Sequence, residues 1–153
     1  MMLNYELYFN EKTVYYFKAK HIDDEELTEE ISIELANHFK RLIPEKEIDY
    51  TFASVKDDSF YLFVSENVAF EIRDFLLENQ ALKDFKEITT DVLMNRVNDD
   101  EFHETFNDDN GFIYVLNTFI IENLTINMVL EKILEKGIDS LNEIDYQILQ
   151  LIN

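Results

Sequence analysis

Apolar residues change their spacing repeatedly along the first eighty positions of this chain. From residue 4 to residue 9 they recur at every second position, which is typical of a half-buried strand. From residue 23 to residue 43 they recur at every third or fourth position, which is typical of an amphipathic helix. Two alternating periods require a sheet layer and a helix layer around a shared core. The chain is therefore predicted to fold, although its 153 residues carry a formal net charge of −20.

The first part of the chain, residues 1–88, is predicted to be an α+β domain. Its order ββαββα gives a two-layer sandwich, an antiparallel sheet with helices on one face. The strands are predicted from alternating, aromatic or β-branched runs at residues 4–9, 13–22, 47–56 and 59–65. The first two of these strands are predicted to form a hairpin.

Two helices complete this predicted domain. The first has Asp23 as the N-cap of a capping box and continues to about Ile43. The second begins at Ser65 or Asn67, and its apolar stripe continues toward Leu82.

The remaining part, residues 89–153, is predicted to be mostly helical, packed on the first part and not independent of it. Helices are predicted at residues 89–106 and 125–136, with Gly137 as the stop of the second. For residues 112–116 a buried strand and the start of a helix both remain open, because the run is too short for its period to decide. A capping box at residues 140–143 predicts a final helix.

The end of the chain carries a recognisable pattern. Lys132-Ile133, Gly137, Ser140-Leu141 and Leu149 follow the spacing K-I-x-x-x-G-x-x-S-L-x-x-x-[DE]-x-x-x-L. This stretch resembles a short C-terminal helix-pair motif that occurs on many otherwise unrelated bacterial proteins. The resemblance covers only this stretch, and it implies a helical hairpin rather than a chemistry.

No catalytic pattern is present in the sequence. Two glycines cannot form a dinucleotide-binding or Walker loop, and the absence of cysteine removes thiolate nucleophiles and thiolate metal sites. His103 has acids nearby, but no zinc-protease pattern accompanies it, and with 33 acids such proximity is expected by chance. His38 is predicted to be a hydrogen-bonded histidine at the core edge, and His21 a paired surface group. The chain is predicted not to be an enzyme and to have no catalytic residue, metal or cofactor.

The acids are the remaining candidates for function. Thirty-three acidic side chains stand against thirteen basic ones, and charge of one sign at this density costs stability through self-repulsion. Acids at the start of the first helix are favoured by its dipole, but the acids near residue 100 have no such explanation. The predicted binding residues are Asp99, Asp100, Glu101, Glu104, Asp108, Asp109, Asp23, Asp24, Glu25 and Glu26.

A negative surface repels nucleic acid and anionic membranes and attracts basic surfaces. The leading hypothesis is a non-catalytic inhibitor that binds the basic nucleic-acid-binding surface of another protein by mimicking nucleic acid. By type, and not by sequence, the chain resembles phage-encoded anti-defence inhibitors such as anti-CRISPR proteins. One alternative is an immunity protein that neutralises a cognate toxin, and another is a housekeeping scaffold module that docks through its C-terminal helices. The predicted partner is a basic protein, with no direct nucleic acid or membrane; a homodimer remains open.

Two further expectations concern location and aromatic anchors. Residues 1–6 lack the pattern of a signal peptide, and no apolar run approaches the ~20 residues that span a bilayer, so the protein is predicted to be cytoplasmic. Four tyrosines are expected on the solvent side of the sheet, where they would anchor a partner: Tyr8, Tyr15, Tyr50 and Tyr61. Their burial against the C-terminal helices is the alternative.

Overall fold

Four strands form one antiparallel sheet in the computed structural model of this protein, which describes residues 13–45, 51–55, 59–97 and 112–150. The strands are β1 (Thr13–Ala19), β2 (Phe52–Val55), β3 (Ser59–Val64) and β4 (Leu82–Glu87). Their order across the sheet is β2–β3–β1–β4. Because β1 pairs with both β3 and β4, it lies inside the sheet.

Two helices connect these strands, α1 (Glu25–Leu42) and α2 (Glu66–Glu78). Within the described residues the order is βαββαβ, the connectivity of the ferredoxin-like split-βαβ motif. The predicted α+β class is therefore confirmed. Residues 4–9, the other half of the predicted hairpin, lie outside the described residues.

The core of this part lies between the two helices and one face of the sheet. Phe17 is opposite Phe60 on one neighbouring strand and Phe85 on the other, with both ring centroids 4.9 Å from its own. Ile31 of α1 and Ile72 of α2 are buried against the same cluster. Aromatic cross-strand pairs of this kind supply much of a sheet's stability.

The other face of the central strands is apolar and buried as well. Val14 and Phe63 are fully buried there, and Tyr61 is 2% exposed. Tyr15 is buried in the helix-facing core. The expectation that Tyr15 and Tyr61 lie on the solvent side is therefore wrong, because β1 and β3 are near-continuous apolar runs of the kind buried on both faces. The other two predicted anchors, Tyr8 and Tyr50, lie outside the described residues.

Strand β4 is the element that the sequence analysis missed. The apolar stripe of α2 was expected to continue toward Leu82, but the helix ends at Glu78 and Gln80 adopts a φ of +53°. The chain then returns along β1 as an edge strand rich in charged residues. Charged side chains are typical of edge strands, where they discourage pairing with other chains, so the apolar period was too weak to predict this one.

The described residues divide into two compact units, 13–88 and 89–150. The second contains four helices within its described residues: α3 (Thr89–Leu93), α4 (Phe112–Asn123), α5 (Ile126–Lys136) and α6 (Glu143–Gln150). Within the described part of the helix predicted at residues 89–106, α3 ends at Leu93 and Asn95 has a φ of +56°, whereas residues 98–106 lie outside the described residues. Residues 112–116 begin a helix, and the alternative of a strand is wrong.

The link between α5 and α6 is defined by its caps. Thr125 accepts a hydrogen bond from the Met128 backbone N–H at the start of α5. Gly137 follows the helix with a φ of +84°, a conformation open to glycine, which confirms the predicted stop. The predicted capping box is two residues early: Asn142, and not Ser140, accepts the backbone N–H of Asp145 at 3.0 Å.

Candidate acidic interaction surfaces

The first turn of α1 gathers four of the predicted binding residues, Asp23, Asp24, Glu25 and Glu26. Asp24 is the N-cap, since its Oδ1 accepts the Leu27 backbone N–H at 3.1 Å. The predicted N-cap, Asp23, is one residue early, and its carboxylate instead lies 3.1 Å from the His21 ring at the surface. That contact confirms His21 as a paired surface group. All four acids are exposed.

The acidic surface continues along the outward side of α1. Glu29, Glu30 and Glu34 are exposed, and the 3.6-residue period of the helix sets them one and two turns beyond Glu26. Ile33 lies among them, 56% exposed and on the opposite side from the buried Ile31. We call this set the α1 acidic face; its members are Asp23, Asp24, Glu25, Glu26, Glu29, Glu30, Glu34 and Ile33.

Five basic side chains of the described residues are engaged in ion pairs elsewhere. Among the described residues, Arg41 pairs with Glu71, Arg73 with Asp74, Lys86 with Asp84, Arg96 with Glu135 and Lys132 with Asp145. In the same part of the chain, the His21–Asp23 contact is the one ion pair that involves the α1 acidic face. The negative charge of this face is therefore left for solvent or for a partner.

The second predicted cluster lies outside the described residues. Its members are Asp99, Asp100, Glu101, Glu104, Asp108 and Asp109, and His103 lies with them. The structure thus brings together the four predicted acids at residues 23–26 and leaves the other six as a prediction.

His38 lies at the edge of the core between α1 and α2. Its ring is 4.6 Å from the Phe75 ring, and its Nδ1 is 3.2 Å from a Glu71 carboxylate oxygen that also binds Arg41. Desolvation by itself would raise the pKa of Glu71, but the hydrogen bonds from Arg41 and His38 outweigh it and leave that pKa below its ordinary value. The predicted role of His38, a hydrogen-bonded histidine at the core edge, is confirmed.

A buried ion pair in the second unit was not predicted. Lys132 Nζ donates to Asp145 Oδ1 at 2.7 Å, and both side chains are almost fully buried. The second oxygen of Asp145 accepts the Asn142 backbone N–H at 2.9 Å. Counting along the C-terminal pattern puts Lys132 at its first position and Asp145 at its acidic position, so that spacing was the available clue.

Apolar side chains are exposed on the same helix pair. Leu130 and Leu134 lie four residues apart on α5, and Ile138 follows in the link to α6. Leu134 is 87% exposed, although leucine is among the residues most often buried. Because residues four apart share a helix face, the two leucines form a short apolar stripe beside the exposed Glu131.

The described ranges contain neither a metal-binding cluster nor a membrane-spanning helix. No group of three or more His, Asp or Glu side chains there is arranged to hold a metal ion. None of the helices described above is both long enough and apolar enough to cross a membrane.

Comparison with known proteins gives no match: no family model, curated protein or solved structure is similar to this chain.

Proposed function

We propose that this protein is a non-catalytic inhibitor whose acidic surface occupies a basic, nucleic-acid-binding surface of another protein. The observation that carries the proposal is the α1 acidic face, where seven exposed carboxylates occupy residues 23–34. Duplex DNA presents one charge per roughly 1.7 Å of its axis, so a groove that binds DNA also attracts a row of fixed carboxylates. Ile33 adds an exposed apolar contact between Glu30 and Glu34.

Fixed charge matters more here than net charge. The carboxylates of residues 25–34 are borne by an 18-residue helix whose inner side is anchored by Ile31, Leu35 and Phe39. Because the helix already fixes the backbone of these residues, only their side chains must be ordered on binding, which favours affinity. It also steers the encounter with a cationic groove, which raises the association rate.

The proposal is tested by measuring the affinity of this protein for an RNA-guided nuclease, the basic partner, at increasing salt concentration. Two variants remove four charges each and have the same net charge. The face variant carries Glu25→Gln, Glu26→Gln, Glu29→Gln and Glu30→Gln, and the control variant carries Glu78→Gln, Glu87→Gln, Glu131→Gln and Asp139→Asn. We expect the face variant to lose at least about tenfold in affinity and the control variant much less, because complementary charges act at the contact.

Two results would contradict charge mimicry. One is an affinity that does not decrease with ionic strength, since exposed charges are screened beyond about 10 Å at 0.1 M salt. The other is an equal loss for both variants, which would show that net charge, and not the α1 acidic face, determines binding. Circular dichroism of both variants checks that α1 remains folded.

A second candidate function is a scaffold module that docks on a larger protein through its C-terminal helices. The exposure of Leu130, Leu134 and Ile138 favours it. Leu134→Asp would then abolish capture of the partner from the native host. Leu77→Asp, at a leucine that is 53% exposed on α2, is the matched control and should leave capture unchanged. Equal capture by the wild type and Leu134→Asp would remove this candidate.

A further inference from the structure

The first unit has a cavity beside the segment that connects the end of β1 to the start of α1. Its volume is about 550 Å³, within the roughly 300–1,000 Å³ of small-ligand sites. The apolar part of its wall comes from both helices, from β3 and from the segment between β1 and α1: Ile22, Ile31, Leu35, Phe60 and Leu76. Ala19 and Ala81 line it as well, and these small side chains leave space that larger ones would fill.

The polar part of the wall differs from the rest of the surface. Lys20, His21, Thr28 and Ser32 line the cavity, and none of its described lining residues is acidic. This contrasts with a chain in which acids outnumber bases 33 to 13. Two of these polar groups already have partners: the His21 ring contacts Asp23, and the Thr28 hydroxyl donates to the Asp24 carbonyl. The positively charged group that remains to bind a ligand is the Lys20 ammonium.

We infer that this cavity binds a small amphipathic anion, with its apolar chain among Ile31, Leu35 and Phe60 and its anionic head on Lys20. A ligand whose apolar chain packs against this lining removes apolar surface of both the chain and the wall from water, which is favourable. The ammonium adds a charge-assisted hydrogen bond to the head group, and the Ser32 hydroxyl is a second polar group on α1.

Because the protein carries a large negative charge, the charge of the ligand's head group shows whether a local positive group takes part in binding. A protein of net charge −20 attracts cations and repels anions at long range. If only long-range electrostatics and non-specific hydrophobic contact acted, the protein would therefore bind a cationic amphiphile more tightly than an anionic one. Preference for the anion can come only from a local positive group, and Lys20 is that group in the described wall.

The test is an NMR titration: octanoate is added to the ¹⁵N-labelled full chain, and the backbone amide chemical shifts are recorded at each concentration. We expect saturable shifts at Lys20, Thr28, Ser32 and Ala81. Shortening the chain from octanoate to butanoate should weaken binding by about threefold to fourfold per methylene. Octylammonium, which has the same chain and the opposite charge, should not produce these shifts.

Two variants of equal net charge locate the head group. Lys20→Glu should weaken octanoate binding by at least about tenfold, since a charged hydrogen bond is replaced by repulsion. Lys83→Glu, at an exposed lysine of β4 that does not line the cavity, should change it less than about twofold. Three outcomes would each overturn the inference: no saturable shifts in the wall, octylammonium binding as well as octanoate, or equal effects of the two variants.

Discussion

Asp23 and Asp24 carry the same charge at neighbouring positions, yet only Asp24 holds the backbone of α1. The difference is one of backbone conformation. Asp24 has the extended φ and ψ of an N-cap, −88° and 109°, from which its side chain reaches the Leu27 N–H. Asp23 lies one residue too early and contacts His21 in solvent. An acid-rich sequence therefore contains residues with different roles that composition does not distinguish.

This difference can be measured. Asp24→Ala should lower the free energy of unfolding by about 1 kcal/mol, the usual value of an N-cap. Asp23→Ala removes the same charge and should change stability little, because its contact with His21 is exposed. Urea unfolding followed by circular dichroism measures both variants. Equal losses would show that charge at the helix end, and not the cap, is what stabilises α1.

Glu71 predicts a dependence on pH. Its pKa is lowered in the folded state, because hydrogen bonds from Arg41 and His38 outweigh desolvation. Its stabilising contribution is then present above the unfolded pKa and lost as the pH falls through the folded pKa. The stability difference between wild type and Glu71→Gln should be largest at neutral pH and shrink toward about pH 3.

Urea unfolding at a series of pH values provides the measurement. Glu78→Gln, a change at an exposed carboxylate at the end of the same helix, is the control for the loss of one carboxylate that has neither Arg41 nor His38 beside it. A wild type–Glu71→Gln difference that grows on acidification would contradict the direction of the pKa shift.

At the scale of elements, α5 and α6 are joined by polar as well as apolar contacts. Lys132 and Asp145 are buried as a pair, and Asp145 also bonds with Asn142 at the start of α6. A buried charge that loses its partner is strongly destabilising, whereas removal of both charges is often tolerated. We therefore expect the pair to specify how the two helices meet rather than to add much net stability.

We expect Lys132→Met to destabilise the protein by about 3–5 kcal/mol, because the Asp145 carboxylate is left buried and unpaired. The double variant Lys132→Met, Asp145→Asn should recover much of that loss, since the asparagine oxygen can still accept the Asn142 N–H. Thermal and urea unfolding of the single and double variants measure the difference. A double variant as unstable as the single one would show that packing, and not the unpaired charge, causes the loss.

Among the elements, the sequence predicted those with a strong period. The spacing of apolar residues predicted α1 to within two residues, and it predicted α2 as a second helix with an apolar stripe, whose buried side chains include Ile72, Phe75 and Leu76. Strand β4 was missed because its Lys-Asp-Phe-Lys-Glu run has one strongly apolar side chain. Its position is specified by pairing with β1, a long-range contact that no local period encodes.

At the scale of the whole molecule, the excess of acids is a cost that the core must outweigh. Within the described residues the basic side chains of five ion pairs lie away from the α1 acidic face. In that part of the chain, repulsion along α1 is therefore offset mainly by the helix dipole at its first turn and by screening from dissolved ions. The same repulsion maintains solubility and deters association with other polyanions.

Added salt should therefore stabilise this protein. We expect Tm to rise as NaCl is increased from about 0.02 M to about 0.5 M, because the Debye length shortens over that range. The variant Glu29→Gln, Glu30→Gln should show a smaller gain, since two of the repelling charges are gone. Differential scanning calorimetry measures both. A Tm that falls with salt would show that attractive ion pairs, and not repulsion, dominate the electrostatics of the fold.

The sequence by itself determined the α+β class, the two helices of the first unit, the absence of thiol chemistry and the net charge. These follow from local periods and from composition, which need no knowledge of distant contacts. Only the tertiary structure decided that Tyr61 is buried, that β4 exists, that Lys132 meets Asp145 and that a cavity opens beside Lys20. Each of these depends on residues far apart in the chain coming together, and that is a property of packing rather than of local sequence.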